Sequence, residues 1–574
     1  MMSTLRTLAL QILLLTEKIL AASHTPPETC PARTPFDIEA MRLSLPFEAF
    51  GLATLATCYC QDQENQSVES QCSSLSSTLS LPNTATVWFT EYLPQGTNLT
   101  LPDNNVTCGR ASQVIPVDLC RVALSVSTST SSEISLEVWL PAPSLWTGRF
   151  LSTGNGGLSG CIQYEDIAYA ASFGFASVGA NNGHNGTSGE PFLDSPEVVA
   201  DFAYRSVHTG AVVGKEVSRQ FYGREHDKSY YIGCSTGGRQ GFKSAQDFPG
   251  DFDGIVAGAP AIAFGNLSSW SGHFYPVTGA DADGNEAWVP PELWAAVHQD
   301  VLAQCDGLDG AEDGILEDPE LCGYTPENLV CASGAAGACL TGAQAETVAK
   351  VFEDLRGEDG SLVYPRMQPG SEILASYVYY SGMPFVYAAD WYRYVVYNDP
   401  SWDPASLSVG DYTAASSLDP YGISTWKGDL SPFSSRGGKI LHYHGLMDAI
   451  ISSSNSPRYY NHVAGAMGLT SEELDEFYRF FRISGMGHCG GGDGAYAVGN
   501  TAAGYWTDDE DGNMLMAMVR WVEEGVAPEW VEGAKLGDDG SVEWRRRHCK
   551  YPKRNVFVGG EGGDSEDPDL WECV

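Results

Sequence analysis

From Ser132 onward the chain alternates short β-rich runs with longer stretches of helical periodicity. Ile134–Leu140, Arg149–Ser152 and Phe175–Gly179 read as strands. Val198–Phe221 reads as a helix, with Phe202, Val207, Val212 and Val213 among its apolar positions. Ser229–Ile232 is the next strand, a helix follows to Asp247, and Gly254–Gly258 is another strand. This alternation predicts an α/β fold, a parallel sheet covered by helices. The pattern breaks after about Pro260 and resumes with strands at Lys439–Tyr443 and Phe477–Ile483. Between them, residues 262–428 carry an acidic cysteine-rich loop, glycine turns and a dense aromatic tract, and are expected to form an inserted lid-like domain.

The remaining bulk properties place the chain outside the cell. Arg6 precedes the apolar run Thr7–Leu15, and Ala21-Ala22-Ser23 offers small residues for cleavage, so residues 1–22 read as a signal peptide. No later segment is long and apolar enough to span a bilayer. Fifteen cysteines and sequons at Asn65, Asn98, Asn105, Asn185 and Asn266 fit secretion. An odd cysteine count leaves at least one thiol free or paired between molecules. The 574 residues exceed what one core holds, so the catalytic domain is expected at 23–261 and 429–574, with a disulfide-rich extension over 23–130. A formal charge of −41 argues against nucleic acid or an anionic membrane as partner.

The candidate chemistry begins at Gly233-Cys234-Ser235-Thr236-Gly237-Gly238, a G-x-S-x-G turn between a strand and a helix. Hydrolases built on such a turn carry their partners in the order Ser, Asp or Glu, His. Asp448 lies just beyond the strand Lys439–Tyr443, and His488 follows Phe477–Ile483 among glycines. Asp493 is the other acid available, but it lies close to His488 in sequence. His442 and His444 precede Asp448, fit that order poorly, and read as hydrogen-bonded structural histidines. Thr236 would supply one backbone donor to an oxyanion, and Gly156 or Gly157 of Gly154-Asn155-Gly156-Gly157 the second. Cys234 precedes the serine and Cys489 follows the histidine. A disulfide needs Cα atoms within about 7 Å, so a bond between these two would force Ser235 and His488 together.

The second informative stretch runs from Cys305 to Cys322. Asp306, Asp309 and Asp313 are good donors for a hard cation, with the Ala311 and Ile315 carbonyls between them. The spacing is not that of an EF-hand, and the loop is expected to serve stability, not chemistry.

Together the Gly-Cys-Ser-Thr-Gly-Gly turn, the His488-Cys489 pair, the Gly-Asn-Gly-Gly loop and the acidic loop resemble the tannase and feruloyl esterase family. The resemblance implies an α/β-hydrolase fold with a lid domain over the site. It implies Ser235, Asp448 and His488 as a catalytic triad, and Cys234–Cys489 as the disulfide linking them. It also implies structural calcium on Asp306, Asp309, Ala311, Asp313 and Ile315. Cys305–Cys322 would close that loop, Cys331–Cys339 a short hairpin, and Cys549–Cys573 would pin the C-terminus. Spacing alone pairs none of the N-terminal cysteines. The family suggests Cys30 with Cys72, and Cys58 or Cys60 with Cys108.

Tyr377, Tyr379, Tyr380, Phe385, Tyr387, Trp391, Tyr392, Tyr394, Tyr397 and Trp402 crowd one segment of the insertion. Aromatic walls suit a galloyl or feruloyl ring, but for each single residue a place in the core of the insertion is the default. The expected function is a secreted serine carboxylic ester hydrolase acting on small or polysaccharide-linked esters of plant phenolic acids. Within the family a tannase is the competing expectation. Outside it stands a non-catalytic, calcium-dependent extracellular binding protein, which leaves the ordered Ser, Asp and His unexplained.

Overall fold

The structure, a computed structural model, describes residues 68–280, 284–332, 338–560 and 562–574. The expected signal peptide, Cys30, Cys58, Cys60 and Asn65 lie outside the described residues. Among the described residues nine strands form one central sheet: β1 (Ala85–Leu93), β2 (Leu119–Ser127), β3 (Glu133–Pro141), β4 (Arg149–Thr153), β5 (Ala176–Ala180), β6 (Lys228–Cys234), β7 (Gly254–Gly258), β8 (Lys439–Gly445) and β9 (Tyr478–Ile483). Their order is β1-β2-β3-β5-β4-β6-β7-β8-β9. Neighbours from β5 to β9 are parallel, as the alternating pattern predicts.

At the other edge the sheet departs from that expectation. β1 with β2, β2 with β3, and β3 with β5 are antiparallel, so the sheet is mixed. The link from β2 to β3 is too short for the crossover that a parallel pair requires. Residues 85–127, expected in a decorating extension, therefore supply two strands of the central sheet. β2 is buried at nearly every position, so its LCRVALSVS run lacks the alternation that marks a one-faced strand. Its docking also decides the disulfides. Cys72 pairs with Cys120 on β2, and Cys108 with Cys161 in the loop after β4. These bonds correct the expected pairing of Cys72 with Cys30, and of Cys108 with Cys58 or Cys60.

Helices cover both faces. Below one face lie α2 (Ser206–Tyr222) and α3 (Thr236–Asp247); α1 (Tyr164–Ser172) packs beside β5. The helix expected over Val198–Phe221 is broken into Pro196–Ala200, a π-turn at Asp201–Arg205, and α2. The π-turn has a visible use. Arg239 on α3 is wholly buried and donates Nη1 to the Ala203 carbonyl at 2.8 Å and Nη2 to the Phe202 carbonyl at 3.0 Å. A buried guanidinium needs such acceptors, and a π-turn leaves carbonyls free to provide them.

The segment between β7 and β8 begins with α4 (Phe264–Thr278) and builds a core around Trp270, Trp294, Tyr364, Tyr379 and Trp391. That core is continuous with Phe192 and Phe202 of the sheet-bearing part. No helix among the described residues is long and apolar enough to cross a membrane.

Phe242 on α3 is wholly buried and meets His442, Tyr459 and Tyr478 edge-on, with ring centroids 5.1–5.6 Å apart. Phe242→Ala is expected to cost about 3–5 kcal/mol, read from the denaturant midpoint.

Candidate active site

Ser235 joins β6 to α3 with φ 65° and ψ −123°, a strained conformation for a residue with a side chain. Its N–H donates to the Gly258 carbonyl at 3.0 Å, and its own carbonyl accepts from Ala261 N–H at 3.0 Å. The turn is therefore held by both ends of the β7 exit. Gly238 makes this approach possible: a Cβ there would stand 2.2 Å from the Gly258 oxygen.

Asp448 follows β8 and is completely buried. Its Oδ1 accepts from Ile450 N–H at 2.7 Å and Ile451 N–H at 3.0 Å. Its Oδ2 lies 2.7 Å from Nδ1 of His488, just after β9. Asp493, the other acid considered, is exposed. Burial by itself raises the Asp448 carboxyl. The charge of His488 and the hydrogen bonds from His444 and His488 outweigh it, holding the group well below the usual carboxylate range.

The Cys234–Cys489 bond is present, with Cα atoms 5.9 Å apart across 255 residues of sequence. It ties the residue before Ser235 to the residue after His488. Cys489 has φ 67°, and Asn500 Nδ2 binds its carbonyl at 3.0 Å and Tyr443 Oη at 2.7 Å. Nothing in the sequence pattern singles out Asn500.

Ser235 and His488 line one cavity of about 450 Å³ with Thr236, Gly156 and Gly157. Among the described residues no acceptor meets the backbone N–H of Thr236, Gly156 or Gly157. Gly157 has φ 57°, and a Cβ there would lie 2.5 Å from the Tyr387 ring. The glycine loop is steadied by Asn155, whose Nδ2 reaches the Ala180 and Cys161 carbonyls at 2.8 and 2.9 Å. Gln240 Oε1 accepts Asn155 N–H at 3.0 Å, a role hidden in the sequence because Gln240 sits mid-helix on α3.

The walls are largely apolar: Phe264 and Leu267 of α4, Tyr379, Phe385, Tyr387, Ile450 and Ile451. Of the ten crowded aromatics, Tyr379, Phe385 and Tyr387 therefore reach the cavity. Tyr392 and Trp402 stack on each other inside the insertion with centroids 4.9 Å apart, and Tyr377 is exposed. Arg110, paired with Glu165, adds a polar part to the lining.

The acidic loop lies elsewhere. Asp309 is buried, and among the described residues its two oxygens accept the N–H groups of Ala311 and Glu317 alone, each at 3.1 Å. Burial pushes its carboxyl up to about 7. Asp306 accepts from Gly314 N–H. Asp313 pairs with Arg546 at 2.8 Å, and the same guanidinium meets Glu317 at 2.7 Å. Arg546 lies in a strand near the C-terminus, and sequence spacing gives no hint of this contact. The expected Cys305–Cys322, Cys331–Cys339 and Cys549–Cys573 bonds are all present. Among the described residues no three His, Cys, Asp or Glu side chains converge as a metal-binding group.

A serine on a strained strand-to-helix turn, an imidazole held by a buried carboxylate, and unspent N–H groups beside them define an α/β-hydrolase. Residues 120–573 match the family described as "Tannase and feruloyl esterase". The chain belongs to that family and is a carboxylic ester hydrolase. It is similar to the protein named "Probable feruloyl esterase B-2" of Aspergillus terreus, with 56% identity over 533 residues, 92% of this chain and 98% of that one. The crystal structure of feruloyl esterase B from Aspergillus oryzae matches with a TM-score of 0.85 at 53% identity, over 88% of this chain and 100% of that one. A crystal structure of an esterase from Aspergillus oryzae gives 0.86 at 55% identity with the same coverage.

Replacing Cys234 and Cys489 together by Ala removes the covalent tie between the two turns. Turnover is expected to fall at least about tenfold at temperatures where circular dichroism still reports a folded chain. Undiminished turnover would make the bond a staple for the fold alone.

Proposed function

We propose that this protein is a secreted feruloyl esterase that cleaves esters of plant phenolic acids through an acyl-enzyme. The observation that carries the reading is the apolar cavity that meets Ser235 and His488, in a chain more than half identical to proteins named feruloyl esterase B. In this reading His488 takes the proton of Ser235 Oγ as that oxygen attacks the ester carbonyl. Asp448 stabilises the imidazolium, and the N–H of Thr236 with that of Gly156 or Gly157 receives the oxyanion. The tetrahedral intermediate expels the alcohol, which takes the proton from His488. Water then repeats the sequence and releases the acid.

An aromatic ring with a methoxy group and a propenoyl arm suits walls of Tyr379, Phe385, Tyr387, Phe264 and Leu267 better than the three hydroxyls of gallate. The same cavity supports assigning residues 262–428 as a lid, since Phe264, Leu267, Tyr379, Phe385 and Tyr387 all come from that segment. Six disulfides among the described residues, the signal-like N-terminus and exposed sequons at Asn98, Asn105 and Asn185 support secretion.

The acidic loop suits a structural calcium ion. Asp309 is a buried carboxylate with no basic partner among the described residues, beside Asp306 and Asp313. The three carboxylates do not converge as they stand; Asp306, Asp309 and Asp313 would have to turn toward the Ala311 and Ile315 carbonyls to hold the ion with them. Its contribution is cohesion of the loop with the C-terminal segment.

Four measurements test these statements. Ser235→Ala is expected to abolish hydrolysis of methyl ferulate while leaving the melting temperature within a few degrees; retained turnover ends the serine mechanism. The kcat/KM profile is expected to fall on the acid side, because a protonated His488 cannot take the serine proton. kcat/KM for methyl ferulate is expected to exceed that for methyl gallate by at least about tenfold, and the reverse ranking assigns the protein as a tannase. A chelator is expected to lower the melting temperature, with recovery on adding calcium; an unchanged melting curve removes calcium from the loop.

A further inference from the structure

Asp448 holds more than His488. Its Oδ2 also lies 3.1 Å from Nε2 of His444, and that Nε2 is 3.1 Å from the Ile451 carbonyl. Both partners are acceptors, so the ring proton sits on Nε2. His444 Nδ1 is 2.6 Å from Ser456 Oγ, which is 2.8 Å from His442 Nε2. His442 Nδ1 in turn is 2.8 Å from Tyr478 Oη. His442, His444 and Tyr478 are completely buried, and Ser456 is 1% exposed. Burial, and after it the neighbouring His444, holds His442 far below the usual histidine value, so it stays neutral. These contacts are met when Tyr478 donates to His442, His442 to Ser456, Ser456 to His444, and His444 to Asp448. All the donors then point one way, toward the carboxylate.

We propose that His444 is a positioning residue for ester hydrolysis: its Nε2–H, oriented by Ser456, holds Asp448 Oδ2 in line with His488 and keeps that carboxylate an anion while His488 carries the proton. The inference rests on the serine-esterase reading of the site. Asp448 receives four donors, two on each oxygen, which fills the capacity of an ionised carboxylate. A carboxylate so filled neither rotates nor competes for the proton of the imidazolium. Without the His444 donor one lone pair is left bare in a dry site. The carboxylate becomes more basic, holds the imidazolium more tightly, and slows proton delivery to the departing alcohol. The other titratable groups facing Asp448 are Tyr364, Tyr379 and Tyr443, all neutral because burial raises them. A histidine kept only for packing needs no acceptor in common with His488.

The test compares His444→Leu, which removes the donor, with His444→Gln, whose side-chain amide can replace Nε2–H. Ser456→Ala is a milder variant that frees the ring of His444 without opening a large cavity. With methyl ferulate, and with active sites counted by a serine-reactive phosphonate, His444→Leu is expected to lose about tenfold in kcat with KM little changed. Its acid limb in kcat/KM should move to higher pH. His444→Gln should recover kcat to within about threefold of the parent and return the limb. Ser456→Ala should show the same displacement to a smaller extent. Equal kcat and equal pH profiles for the Leu and Gln variants would overturn the proposal, as would a Ser456→Ala enzyme identical to the parent if the Leu variant does not fold. Ser235→Ala, run alongside, separates the two levels: if it remains active, the esterase reading itself has failed.

Discussion

A carboxylate buried at the end of β8 governs how this molecule is put together. Taking an ionised Asp448 out of water costs several kcal/mol unless its oxygens are fully paired. The pairing comes from the Ile450 and Ile451 amides, from His488 beyond β9, and from His444 on β8 itself. Strand β8, its exit loop and the turn after β9 must therefore close on one point. That point is also where His488, the proposed base, meets its anion.

The serine arrives at the same place from the middle of the sheet. The turn at Ser235 is strained, and two backbone bonds to the β7 exit hold it. The Cys234–Cys489 bond then carries that geometry over to the histidine turn, which otherwise depends on glycines and on Asn500. The strain is stored where preorganisation is needed, and a covalent tie with a buried network keeps it there. The long insertion leaves the sheet at β7 and returns at β8, directly beside these turns. It contributes the apolar walls Phe264, Leu267, Tyr379, Phe385 and Tyr387 of the cavity, while Ser235 and His488 come from turns of the sheet.

The acidic loop and the C-terminal segment make a second, separate assembly. Arg546 reaches Asp313 and Glu317, while Ala311 packs with Phe557 and Trp571. One guanidinium does not balance Asp306, Asp309, Glu312, Asp313 and Glu317, which is the electrostatic ground for the calcium proposal.

The sequence by itself determined the parallel half of the sheet, the turn at Ser235, and the order Ser235, Asp448, His488. Each of these is written in local periodicity or in short spacings at strand ends. Three of the disulfides were legible for the same reason, because their cysteines bracket compact segments. What needed tertiary structure was whatever depends on elements distant in the chain. β2 is buried at nearly every position, so its own pattern carries little alternation, and β1 pairs with it as the edge strand. The pairings Cys72–Cys120 and Cys108–Cys161 follow from that docking. Gln240, Asn500 and Arg546 are polar residues in otherwise ordinary helix, loop and strand, and only the folded chain shows which buried groups they satisfy. His442 and His444 read correctly as hydrogen-bonded histidines, but the sequence order that excluded them as bases could not show that one of them meets the same Asp448 oxygen as His488. Periodicity reports which face of an element is buried; it is silent on which polar atoms meet once the faces close.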